Sequence, residues 1–131
     1  MIFLDSDILS YYFSGNSKIY DKVAETINTG EKIALTAINV YELLKGFKWR
    51  SNKNKELLFS NFLETVPVFS MDNDTINLAT DIYANLRRNG ITISDADIII
   101  ASIVIRNNGK LVTNNMKHYD IKDLNLLNWL E

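Results

Sequence analysis

The chain has 131 residues, 47% of them hydrophobic and 23% charged, with 14 basic and 16 acidic side chains and a formal net charge of −2. That is enough apolar content for a real core, and too little net charge for a disordered chain or a polybasic nucleic-acid arm. There is no cysteine, which excludes a disulfide framework, a thiol nucleophile and zinc–thiolate or iron–sulfur sites; chemistry falls to carboxylates, alone or with hydroxyls and the single His118.

Residues 2–5 (IFLD) read as a short buried strand ending on Asp5. Acids follow three apolar residues at once, and no apolar run reaches the roughly 18–20 residues of a membrane span, so neither a signal peptide nor a membrane segment is expected and the cytoplasm is the expected location. Residues 7–14 and 17–29 read as helices, the second striped by Ile19, Val23, Ala24 and Ile27 and stopped by Gly30. Residues 32–36 form a second strand. A helix follows from about Asn39, a good N-cap type, through Val40, Leu43, Leu44 and Phe47. Residues 54–63 form another helix, and residues 66–70 a strand that includes the only proline, Pro67. Asp72 or Asp74 caps a helix that runs to Arg88 and ends at Asn89–Gly90. Residues 97–107 are apolar on every side, the mark of a buried helix, and Asn108–Gly109 stops it. Residues 110–113 and 126–130 are the last strands. There is no linker-like stretch and no repeat, so one domain over residues 1–131 is expected, of α/β class with a mainly parallel sheet.

In such sheets ligands bind outside the carboxyl ends of the strands. Asp5 closes the first strand, Glu42 lies in the first turns after Thr36, Asp97 sits where the buried helix begins, and Thr113 precedes Asn115. These four junctions bring Asp5, Glu42, Asp97 and Asn115 toward one edge. Asp21, Glu25, Glu31, Glu56, Glu64, Asp81, Asp120 and Asp123 show no such convergence and read as solvated charge. Clustered carboxylates repel one another, and an oxygen-loving Mg²⁺ or Mn²⁺ relieves the repulsion while activating water and offsetting phosphate charge. Each acid also has a plainer use. Asp7 can cap the helix after it, Ser94-x-x-Asp97 resembles a capping box, His118 reads as a loop or packing residue, and Trp49 and Trp129 read as packing. Asp5 is harder to dismiss, because a lone carboxylate ending an apolar strand is costly to bury unpartnered. Arg87–Arg88 and the Lys45, Lys48, Arg50, Lys53, Lys55 cluster read as solvated faces or as a local footprint for phosphates.

The segments IFLDSDILS, ALTAINVYELLKG, ISDADIIIAS and KLVTNNMKHYDI, followed by LNLLNW, stand in this order across nearly the whole chain. Together they resemble PIN-domain ribonucleases, most closely the VapC-type toxin of VapBC toxin–antitoxin systems. Asp5 takes the first acidic position with Ser6 beside it, Glu42 the second and Asp97 the third. The chain departs from the pattern in having Asn115 where Asp is frequent, Asn39 where Ser or Thr is commoner, Ser102 for the second Ala, Tyr119 for Phe, and an extra acid at Asp95. The resemblance implies a three-layer α/β/α fold and an Mg²⁺- or Mn²⁺-dependent endoribonuclease that cleaves structured RNA by metal-activated water. Asp5 and Asp97 would bind the metal directly, and Glu42 would bind it through water or orient the nucleophile. Asp95, Asn115, Ser6 and Thr113 would support them. It also implies a homodimer and a cognate VapB-type antitoxin whose helix seeks an apolar groove, expected near Tyr11–Phe13 and Phe47–Trp49.

Two other families share part of the pattern. D-x-D after a strand resembles the haloacid-dehalogenase phosphohydrolases, with Asp5 as nucleophile, but SDADI precedes LVT here, the reverse of their usual order. A receiver-like interaction domain has a similar length and an acidic pocket, but needs an Asp ending its third strand, where this chain has Ser70.

Overall fold

Alternation along the first strand sets the architecture of the computed structural model, which describes residues 1–131. In β1 (Ile2–Leu4), Ile2 and Leu4 face one side of the sheet and Phe3 the other, as period-two side chains must. Four more strands join it: β2 (Ile33–Thr36), β3 (Val68–Phe69), β4 (Lys110–Val112) and β5 (Asn125–Leu127). Their order is β3-β2-β1-β4-β5 and every pairing is parallel. β1 is central, with Ile2 opposite both Ile33 and Lys110. The α/β fold with a central parallel sheet is therefore as expected, with the strands shorter than the apolar runs suggest.

Six helices cover the two faces. On one side α1 (Ser6–Phe13), α2 (Ser17–Asn28), α3 (Ala37–Trp49) and α4 (Lys53–Leu63) bury Ile8, Leu9, Ile19, Val23, Leu43, Phe47 and Phe59 against Ile2, Leu4, Ile33 and Leu35. On the other, α5 (Asn73–Arg88) and α6 (Asp95–Arg106) pack Ala79, Leu86, Ile98, Ala101 and Val104 against Phe3, Ala34 and Leu111. The result is the three-layer α/β/α arrangement. α6 is the buried helix foreseen from its composition, with Ile100, Ala101, Ser102, Ile103 and Val104 wholly enclosed. Ser102 spends its hydroxyl on the Ile98 carbonyl, 2.7 Å away.

Two helix starts differ from expectation for the same reason. α3 begins at Ala37, because the Thr36 side chain accepts from the Asn39 amide N–H and is the cap. α6 begins at Asp95, because Ser94 caps it, accepting from the Asp97 amide N–H at 3.2 Å. Asp72, not Asp74, caps α5. A single 3₁₀ turn, Met116–Tyr119, follows β4 and has no strong sequence signal. Between α6 and β4 the chain passes directly under a ring: a Cβ on Gly109 would lie 2.6 Å from Phe3 Cε2.

Candidate active site at the carboxyl edge of the sheet

The chain runs outward from β1 to β2 and β3 on one side, and to β4 and β5 on the other. The order reverses between β1 and β4, and such a switch point is where parallel sheets open a crevice beyond their carboxyl ends. Asp5 follows β1 and Thr113 follows β4, so both stand at its mouth. The starts of α1, α3 and α6 supply Asp5, Asn39 with Glu42, and Asp97. Their positive helix ends favour negative charge at this edge.

Asp5 is 6% exposed and held from three sides. Its Oδ1 accepts from the Ser6 amide N–H, capping α1, and from Asn39 Nδ2, both at 2.9 Å; its Oδ2 accepts from Thr113 Oγ1 at 2.8 Å. Thr113 Oγ1 in turn accepts from the Asn115 amide N–H at 3.0 Å. Asn39 is the hub of this arrangement. It is fully buried, its Oδ1 accepts from Thr36 Oγ1 at 2.7 Å, and its Nδ2 also donates to Ser6 Oγ at 2.9 Å. Ser6 Oγ then donates to Glu42 Oε1 at 2.8 Å. Asn39 therefore does not cap α3, as its residue type suggests. It sits one turn before Leu43 on the buried face, and a polar amide on that Leu43–Phe47 stripe is the signal that marks it in the sequence.

Asp97, on the first turn of α6, is largely enclosed but has no hydrogen-bonded side-chain partner. His118 Nδ1 lies 3.8 Å from its Oδ2, so His118 faces the acidic pocket instead of packing in a loop. Tyr119 brings Asp5 and Asp97 into one neighbourhood. Its phenol feels burial first, then the charges of Asp5 and Asp97 and the nearness of both carboxylates as acceptors, all of which raise its pKa well above the usual value. Tyr119 is 3% exposed, and its hydroxyl meets hydrogen-bond geometry to no group.

The other expected residues divide. Asp7 holds the pocket from outside: its Oδ2 accepts from the Asn114 amide N–H and its Oδ1 from that of Ile8, both at 2.8 Å. Burial raises its pKa against these bonds, and the Asp5 charge raises it further. Asn115 joins through its backbone, while its side chain is exposed in a hollow with His118, Asn128 and Glu131. Asp95 is not brought to the pocket. Two positions along a helix turn a side chain by about 200°, and Asp95 lines hollows with Ile98, Tyr83 and Ile91 on the α5 side. The expected groove residues also need correcting. Phe47 is 3% exposed, and Phe13 packs edge-on to Phe59 and Phe62, so neither ring is free to line a groove; Tyr11 and Trp49 are exposed.

No three Asp, Glu or His side chains converge on one point. A pair does fit a hydrated divalent cation, which takes one or two carboxylates and completes its shell with water and phosphate. An ionised carboxylate offers about four lone-pair sites. Asp5 uses two on Oδ1 and one on Oδ2, and keeps one for an ion. Asp97 keeps all of its own. The buried Tyr119 hydroxyl beside both lacks an acceptor, as expected of a pocket shaped for an additional group. A surface hollow of about 540 Å³ lies at the opposite edge among Ile27, Ile33, Phe62 and Pro67, and has no comparable chemistry.

Comparison with known proteins points the same way. The PIN domain family matches residues 2–124. The chain is 27% identical over 128 residues to ribonuclease VapC2 of Rickettsia felis, covering 96% of both chains. It is 31% identical to ribonuclease VapC1 of Methanocaldococcus jannaschii over 87 residues, 66% of this chain and 62% of that one. Among solved structures it resembles VapBC2 of Rickettsia felis bound to a promoter DNA fragment, with a TM-score of 0.88 and 26% identity over 98% of this chain and 99% of that one. It also resembles VapBC-1 of nontypeable Haemophilus influenzae, with a TM-score of 0.79 and 26% identity over the whole of both chains.

Proposed function

The chain belongs to the PIN domain family, and from that premise we propose that it is a single-domain, divalent-cation-dependent endoribonuclease and the toxin partner of a VapB-type antitoxin. The observation that carries this reading is the placement of Asp5 and Asp97 around one buried hydroxyl at the switch point, with Asp5 keeping one unused lone pair. When bound, Mg²⁺ or Mn²⁺ supplies the charge that acidifies a water and offsets the charge developing on a phosphodiester. The chain's own residues do the rest. Asp5 and Asp97 hold the cation. Thr113, Asn39 and the α1 amide fix Asp5 in place. Glu42, whose Oε1 accepts from Ser6 Oγ, would take a proton from the attacking water or steer it.

The same reading includes a structured RNA substrate, a cytoplasmic setting and a homodimer. No helix is long and apolar enough to cross a membrane. Met71, Ile76 and Tyr83, exposed between α5 and α6, are apolar surface that a second copy would cover. The two rival families fit poorly. Asp5, tied down by three donors, is a poor covalent nucleophile. β3, where a receiver needs its phosphate acceptor, is the outermost strand on its side and ends at Phe69.

Asp5→Asn and Asp97→Asn should each abolish Mg²⁺- or Mn²⁺-dependent RNA cleavage while leaving far-UV circular dichroism unchanged. Undiminished cleavage by either purified variant, with contaminating nuclease excluded, would overturn the assignment.

A further inference from the structure

Tyr119 closes the 3₁₀ turn after β4, at the position where the sequence departs from a Phe pattern. Packing accounts for its ring, which belongs to the core formed by Phe3, Ile98, Ala101 and Leu111. Packing does not account for its hydroxyl, which a Phe would lack. A buried O–H without an acceptor is a desolvation penalty with nothing to offset it, so the group must be spent on something the pocket does.

Two acceptors are near: the carboxylates of Asp5 and Asp97. Lone-pair accounting separates them. Asp5 already accepts from Ser6, Asn39 and Thr113, and a fourth bond would consume the site it keeps for a cation. Asp97 accepts from no side chain in good geometry, and beside it stand only the Tyr119 hydroxyl and His118, the latter at 3.8 Å. A carboxylate on the first turn of a helix, held by one contact of that length, is free to rotate. Ligands that bind metal well are those fixed by an outer hydrogen bond.

We propose that Tyr119 is a positioning residue for the divalent cation: with the ion bound, and not before, its hydroxyl donates to the Asp97 carboxylate and holds it turned toward Asp5. This rests on the metal-dependent reading above and adds to it a residue that touches neither cation nor RNA. Tyr119 thus does for Asp97 what Asn39 and Thr113 do for Asp5.

The test is a calorimetric Mn²⁺ titration of the full-length protein, together with its Tm in chelator and in Mn²⁺. Tyr119→Phe should melt in chelator at or above the native temperature, because no hydrogen bond is lost. Its Mn²⁺ affinity should fall by about 10–100-fold, the usual cost of removing an outer-shell partner, and its Mn²⁺-induced rise in Tm should shrink accordingly. A merely structural tyrosine would leave the affinity unmoved, and native Mn²⁺ affinity in Tyr119→Phe would overturn the proposal. So would a variant that melts well below native in chelator or does not fold, since the hydroxyl would then have a partner without the cation. Asp97→Asn is the reference arm and should lose Mn²⁺ binding. If Asp97→Asn binds Mn²⁺ like the native protein, the metal site itself is wrongly placed, a failure distinct from that of Tyr119.

Discussion

The side chain of Asn39 accepts a hydrogen bond from Thr36 Oγ1 at Oδ1 and donates two from Nδ2, to Asp5 and to Ser6. Only an amide has both capacities at that size. Asn39→Asp keeps the shape and reverses one end, setting a carboxylate against Asp5 at hydrogen-bonding distance. We expect a loss of about 2–3 kcal/mol at pH 8, the scale of a buried bond to a charged group. The new carboxyl has its pKa raised by its neighbour. A raised pKa gives stability that is present at low pH and lost as pH rises through it, so urea melts at pH 5 should show a smaller deficit than at pH 8. Equal deficits would refute the arrangement. At this scale the sequence is legible where a residue's place in the chain decides its role. Asp5 and Glu42 stand just after strands β1 and β2, as their places in the chain suggest, whereas Asp97 opens a helix that follows another helix, α5, and not a strand. The sequence misleads where a residue type has two uses: Asn39 suits a cap and is instead a buried hub, and His118 suits a loop and instead faces Asp97.

Elements were legible in kind and less so at their ends. The apolar run over residues 97–107 is a buried helix because the sheet, α5, α3 and the 3₁₀ turn enclose Ile98 and Ile100–Val104, while Arg106 reaches solvent. Its start two residues earlier follows from the Ser94 cap. The same two-residue step separates Asp97, which faces the pocket, from Asp95, which faces α5, a distinction that residue type does not carry. The turn into β4 depends on Gly109, which passes against the Phe3 ring and so permits the β1–β4 register. Gly109→Ala should cost about 1–3 kcal/mol, as overpacking does in a filled core. It should also slow RNA cleavage, because β4 leads into Thr113 and Thr113 holds Asp5. Urea titration and a cleavage time course check the two effects. An alanine variant with native stability would mean that the Phe3 ring yields freely.

For the molecule as a whole, a net charge of −2 counts against loose, charge-driven binding of RNA across the whole surface. The charge is not spread evenly, however: acids gather at the carboxyl edge, where a bound divalent cation would offset most of their charge, and lysines line α3 and α4. Both cores are built on the two faces of one sheet, so neither face can loosen without exposing the other. We therefore expect a single cooperative unfolding transition. Trp129 belongs to the first core, while Trp49 is 87% exposed and should change little. Tryptophan fluorescence and far-UV circular dichroism should then give one urea midpoint, and two midpoints would show that the faces unfold separately. Global topology was the part least open to sequence reading. Hydrophobic runs announce strands but not their neighbours, and the β1–β4 pairing joins residues more than a hundred positions apart.

That pairing sets the order of events during synthesis. The central strand is made before the other four, yet its second neighbour, β4, leaves the ribosome more than a hundred residues later. Until residue 113 has emerged, Asp5 lacks the Thr113 bond, and the Tyr119 ring follows only after that, so the pocket cannot close around its acids. A growing chain therefore carries Asp5 through the synthesis of more than a hundred further residues without the means to use it.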